Sequence, residues 1–102
     1  METKKEKSYT FKKINSFNTP LIKNLYEIIK NNMIKIGFEI NDKSKDMWIN
    51  NINKMLLNNN FYLYVIKFNN EICGFIELIE NNSILTVSEI QLSDMVKGSY
   101  LI

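Results

Sequence analysis

One candidate for acid–base chemistry in this chain is a glutamate close to its C-terminal end. Glu89 lies in ILTVSEIQL (84–92), where strict alternation puts it on one face with Leu85, Val87 and Gln91. A carboxyl group that interrupts an apolar row is partly withdrawn from water, which raises its pKa and suits it to accept a proton. The alternative is a solvent-facing acid paired with a lysine.

A lysine-glycine-serine turn follows that segment, at Lys97, Gly98 and Ser99. Lysine meets a phosphate as a point charge, and glycine lets backbone N–H groups approach an anion closely. These residue types are able to contact a phosphate, but by themselves they favour an ordinary surface turn.

The composition removes several kinds of catalysis and partner. The 102 residues contain no His and no Arg, and all thirteen basic residues are Lys. Histidine-based metal sites and His-assisted nucleophiles are excluded, we expect no metal, and Cys73 is predicted to pack in the core. A single cysteine and a start without an apolar leader predict a cytoplasmic protein. The net charge of +2 and the absence of a long apolar run argue against nucleic acid and membrane partners.

The strands are predicted from two-residue alternation and from β-branched and aromatic content. Asparagine-rich turns, NNE at 69–71 and NNS at 81–83, join the last three strands. Residues 1–7 are predicted to be a disordered tail ahead of one domain. The strands are 8–14, 61–68, 72–80 and 84–92.

Two helices separate the first strand from the other three. Apolar residues at helical spacing predict a helix that begins at a Thr19 cap and ends at Gly37. A second apolar stripe predicts a helix from about 44 to 57, capped by Asp42 or Ser44. The order β-α-α-β-β-β is typical of an α+β fold, with a mainly antiparallel sheet and both helices packed on it.

This order, together with three segments, resembles the N-terminal half of the GNAT family of N-acetyltransferases. NNEICGFIEL (69–78) is similar to the family's hairpin, in which an apolar-Gly-aromatic segment follows a turn. VSEIQLS (87–93) is similar to its fourth strand, and SDMVKGSYLI (93–102) stands where the family has its acetyl-CoA pyrophosphate loop. The resemblance covers residues 8–102 and implies a partial, truncated GNAT-like domain.

The resemblance implies an acetyl-CoA-dependent N-acetyltransferase that acts on an amine of unknown identity. Glu89 would be the catalytic base that deprotonates the amine, and Glu77 is the weaker option. The backbone of the strand end would pair with pantetheine, and the turn would contact the pyrophosphate. These cofactor-binding residues are Ile90, Gln91, Leu92, Lys97, Gly98 and Ser99.

The loop departs from the family's pattern of Gln or Arg, two residues, Gly, one residue, then Gly or Ala. Aligned on Gly98, only that glycine matches, and Tyr100 stands where a small residue is expected. A second hypothesis is therefore a catalytically inactive remnant or interaction module with the same fold. Its exposed edge strand, 84–92, predicts a homodimer. A Lys-rich nucleic-acid binder is the weakest hypothesis, because the lysines beyond the N-terminal segment are scattered.

Four aromatic residues are candidates for an acceptor pocket, with ordinary core packing as the alternative. They are Trp48, Phe61, Tyr62 and Tyr64.

Overall fold

The computed structural model of the protein describes residues 8–93. The predicted tail and the turn from Lys97 to Ser99 lie outside the described residues. The predicted order β-α-α-β-β-β is confirmed. The elements are β1 (Tyr9–Lys13), α1 (Thr19–Lys35), α2 (Asp42–Met55), β2 (Phe61–Phe68), β3 (Glu71–Asn81) and β4 (Ile84–Leu92).

The four strands form one antiparallel sheet in the order β1-β2-β3-β4. Both hairpins turn on residues with positive φ: Asn69 at 51° and Asn70 at 70°, then Asn82 at 52° and Ser83 at 66°. Two successive positive φ values give the primed turns whose twist matches that of the flanking strands. The asparagine-rich turns therefore set the register of the meander.

Both helices are capped by an asparagine that the sequence analysis did not select. Asn18 accepts a hydrogen bond from the backbone N–H three residues on, at 3.2 Å, so Thr19 is already helical. Asn41 does the same for Ser44 at 2.9 Å, and α2 begins at Asp42. The prediction of Thr19, and of Asp42 or Ser44, as the N-terminal caps was wrong. Each stretch holds several residue types that cap helices well, and the sequence does not show which of them is used. No helix among residues 8–93 is long and apolar enough to cross a membrane.

Both helices cover one side of the sheet, called here the helix face, and the core lies between the helices and the sheet. Trp48 of α2 is sandwiched between the rings of Tyr26 and Phe75, with centroids 5.7 Å from each. The buried residues of this core are Ile14, Ile22, Leu25, Tyr26, Ile29, Ile52, Phe61, Leu63, Val65 and Phe75.

The opposite side of the sheet, called here the open face, has no helix on it among the described residues. Ile66, Phe68 and Cys73 form a small buried cluster there, and burial raises the pKa of the Cys73 thiol. The predicted packing role of Cys73 is therefore confirmed. The side chains towards β4 are more exposed: Leu85 is 58%, Val87 54% and Ile90 52% exposed.

Candidate functional site

Glu77 and Glu89 lie directly opposite each other on β3 and β4. Directly opposed residues of an antiparallel pair project from the same face of the sheet. Glu77 lies between Phe75 and Ile79 in the alternation of β3, so both glutamates project from the helix face.

The predicted row of Leu85, Val87, Glu89 and Gln91 was wrong. Val87 pairs with Leu78 whereas Glu89 pairs with Glu77, so the ladder has a bulge at Ser88. An extra residue in one strand reverses the alternation beyond it. Leu85 and Val87 therefore lie on the open face, and Glu89 and Gln91 lie on the helix face.

The two carboxyl groups differ in exposure. Glu77 is 4% exposed, and its Oε2 has no hydrogen-bond partner among the described residues, whereas Glu89 is half-buried. Burial above all, then the hydrogen bond to Glu89 and the negative charge of Glu89, raise the pKa of Glu77 to about 8. Desolvation and a neighbouring like charge both disfavour the ionised form. The pair can therefore take up and release a proton near neutral pH.

Two amide side chains hold Glu89 in place. Gln91 donates from Nε2 to Oε2 of Glu89 at 3.0 Å. Asn32 of α1 donates from Nδ2 to Oε1 of Gln91 at 2.8 Å and to the carbonyl oxygen of Leu92 at 3.0 Å. Since the Gln91 amide is engaged at both ends, its orientation is set and it presents a donor to the carboxylate.

Asn32 was missed by the sequence analysis. Its one signal is its position, three residues after Ile29 and seven after Leu25, which places an amide beside the apolar stripe of α1. A polar residue at such a position needs a partner, but the sequence does not show that the partner lies on β4.

The predicted cofactor-binding residues are only partly described. The Ile90 side chain is on the open face, Gln91 is in the network above, and Leu92 packs on the cluster around Cys73. Within residues 8–93, β4 pairs with β3 alone, so its other edge has no strand beside it. An unpaired edge is what an extended ligand needs in order to join a sheet. Lys97, Gly98 and Ser99 lie outside the described residues.

The four aromatic residues proposed for an acceptor pocket do not come together. Phe61 is buried in the core, and Trp48 lines an open groove of about 570 Å³ over α2. Tyr62 and Tyr64 lie on the open face beside a cavity of about 230 Å³, where the Tyr62 hydroxyl donates to Glu80 at 2.8 Å. Neighbouring strand residues project from opposite faces, so a single pocket from this set was wrong.

Solved structures with a similar fold are acetyltransferases. One is a predicted acetyltransferase with acetyl-CoA from Clostridium acetobutylicum, 18% identical with a TM-score of 0.63, which matches 92% of this chain and 66% of its own. Another is an aminoglycoside acetyltransferase from an uncultured soil metagenomic sample in complex with sisomicin, 16% identical with a TM-score of 0.59, which matches 89% of this chain and 60% of its own. No family model and no curated protein matches the chain. The chain thus has a GNAT-type acetyltransferase fold and spans less than two thirds of these proteins.

Proposed function

We propose that this chain, whose fold matches 60% and 66% of those acetyltransferases, takes part in acetyl transfer from acetyl-CoA to an amine. The observation that carries the proposal is the position of Glu89. It is a half-buried carboxylate on β4, held by Gln91 and placed against a second carboxyl group. Such a group is a suitable general base for an amine that reaches the site as an ammonium ion.

In this mechanism Glu89 removes a proton from the ammonium group, and the free amine attacks the acetyl carbonyl carbon. Bound acetyl-CoA supplies the acetyl thioester. The backbone of Ile90, Gln91 and Leu92 is proposed to meet the pantetheine arm at the edge of β4 that has no strand beside it within residues 8–93, where the Leu92 carbonyl oxygen also accepts from Asn32. Lys97, Gly98 and Ser99 are proposed to bind the pyrophosphate through one positive charge and backbone N–H groups.

The first test is calorimetric titration of the full chain with acetyl-CoA. We expect micromolar binding with measurable heat, and we expect Lys97→Glu to weaken it about tenfold or more, or about 1.4 kcal/mol. Lys43→Glu is the matched control, because Lys43 lies on α2 and should leave the affinity unchanged. Absence of binding up to millimolar acetyl-CoA would reject the proposal.

A second candidate function, self-association, is favoured by the open face. Apolar side chains run across the sheet there in two rows, Tyr64–Ile76–Ile90 and Tyr62–Leu78–Val87. Contiguous exposed apolar surface marks an interaction site in soluble proteins, and the edge of β4 adjoins this surface. A second copy of the chain supplies both a matching edge and a matching apolar face, in an isologous dimer.

Light scattering after size exclusion tests this candidate. We expect a dimer at micromolar concentration, and we expect the double substitution Val87→Lys with Ile90→Lys to give a monomer, because two charges would be buried at the contact. Leu57→Lys is the control, since Leu57 is 81% exposed and lies outside the sheet. A monomeric parent chain excludes the homodimer.

The cytoplasmic location stays a prediction.

A further inference from the structure

The buried member of the carboxyl pair, Glu77, has no part in the mechanism above. Its apolar surroundings and its position opposite Glu89 set it apart from a surface acid. We propose that Glu77 and Glu89 form one base with a single shared proton, in which Glu89 faces the acceptor amine and Glu77 acts through Glu89 as a positioning residue. This inference rests on the proposed acetyl transfer.

The first argument is the surroundings of Glu77. Across the sheet it faces Leu63 of β2 on one side and Glu89 of β4 on the other, and its β3 neighbours on the same face are Phe75 and Ile79. Among residues 8–93, no lysine is one of the groups that shift its pKa. A buried carboxyl group without a cation is stable only when it is neutral or shares a proton.

The titratable side chain that α1 adds to this core is Tyr26. The groups that raise its pKa are, after burial, Glu27 of α1 and then Asp42 at the start of α2, and Glu77 is not among them. From α2, Trp48 is in contact with the ring of Phe75. Among residues 8–93, Glu89 is therefore the titratable side chain that lies against Glu77 and with which it can exchange a proton.

The second argument is that the pair is held in one arrangement. Glu77 and Glu89 are directly opposed on β3 and β4, and two carboxyl groups that face each other can share one proton, with one as donor and the other as acceptor. Gln91 occupies Oε2 of Glu89 as a donor, and Asn32 ties Gln91 to α1. The other carboxylate oxygen of Glu89 receives no hydrogen bond from Gln91 or Asn32, so it is available to accept a proton from Glu77 or from the acceptor amine.

The proton balance of the transfer is simple. Loss of the shared proton to solvent leaves the pair doubly ionised, and the pair then removes one proton from the ammonium ion and shares it between the two carboxylates. The nitrogen lone pair forms the bond to the acetyl carbon, the carbon–sulfur bond breaks with its electrons on sulfur, and the second nitrogen proton ends on the thiol. Release of the shared proton to solvent restores the pair.

The test is carbon-13 NMR of the ligand-free full chain with labelled glutamate carboxyl carbons, followed from pH 4 to pH 10. Interacting groups titrate as a pair, so we expect two-step curves for Glu77 and Glu89. We expect Glu89→Gln to convert Glu77 to a single step at least one pH unit lower, and Glu77→Gln to convert Glu89 to a single step. Glu80→Gln is the control, because Glu80 is on the same strand but bonded to Tyr62 on the open face.

Independent one-step titrations that neither variant alters would overturn the shared proton. Each variant reports on the other carboxyl group, so loss of folding in one still leaves a decisive measurement. The NMR titration is done without acetyl-CoA, so its result is independent of the binding experiment. If the two carboxyl groups titrate together but the chain does not bind acetyl-CoA, the proposed acetyl transfer is rejected and the carboxyl pair is retained. If the chain binds acetyl-CoA but the two groups titrate independently, the pair is rejected and the proposed transfer is retained.

Discussion

Replacing Glu77 by glutamine is expected to stabilise the protein at pH 8 and to leave its stability at pH 4.5 almost unchanged. The pKa of Glu77 is raised from 4.5 to about 8, so between these values the folded chain holds a proton that the unfolded chain has lost. Stability from this group is fully present below pH 4.5 and is lost as the pH rises through about 8. The slope is at most about 1.4 kcal/mol per pH unit for one proton.

The measurement is urea unfolding at several pH values between 5 and 8. Over that interval we expect the parent to lose up to about 4 kcal/mol relative to Glu77→Gln, because glutamine keeps the shape and a donor for Glu89 without the charge. Glu80→Gln, on the same strand, should retain the parent's pH slope. Equal slopes for the parent and Glu77→Gln would show that Glu77 ionises in the folded state as freely as in the unfolded chain.

Replacing Gly74 by alanine is expected to break the end of the β3–β4 ladder. A Cβ at this position would lie 2.4 Å from the carbonyl oxygen of Gln91 and 2.8 Å from Cδ2 of Leu92. The closer atom is backbone, so β4 must move, and the bond from Ser93 N–H to the Cys73 carbonyl at 2.8 Å is lost with it. We expect a loss of about 2–4 kcal/mol in the free energy of unfolding.

Amide hydrogen exchange distinguishes this local effect from general destabilisation. Gly74→Ala should speed exchange at Gln91 to Ser93 more than elsewhere in the sheet. Gly37→Ala is the matched control. Gly37 stands just after α1 with φ of 93°, as its predicted role in ending that helix requires, and a Cβ added at this position would have no atom within 4 Å. Its cost comes from backbone strain alone, about 1 kcal/mol, and exchange in β4 should not change. If Gly74→Ala speeds amide exchange equally throughout the sheet, the close contact between Gly74 and β4 is contradicted.

The requirement for glycine at position 74 and the carboxyl pair concern the same part of the fold. Gly74 lets β4 approach β3 at Gln91 and Leu92, and Gln91 then holds Glu89 through its amide. The bulge at Ser88 sets which face Glu89 occupies. A defect in strand pairing here should therefore disturb the proposed base and the proposed pantetheine-binding edge together.

The sequence by itself determined the elements of this protein and their order. β2 and β4 were predicted at 61–68 and 84–92, and the structure has them at Phe61–Phe68 and Ile84–Leu92. Alternation, helical spacing and the asparagine turns are local properties, because each depends on residues a few positions apart. The α+β class follows from them, since two amphipathic helices and an antiparallel meander have to bury their apolar sides together.

Only the tertiary structure decided which side chains meet. Periodicity assumes an uninterrupted strand, so it could not show that Ser88 is bulged and that Glu89 turns to the helix face beside Glu77. The Asn32–Gln91 bond joins residues 59 positions apart, and Phe61 and Tyr62 separate to opposite faces although they adjoin in sequence. Register and long-range contacts depend on how the strands and helices pack together, and no short stretch of sequence carries that information.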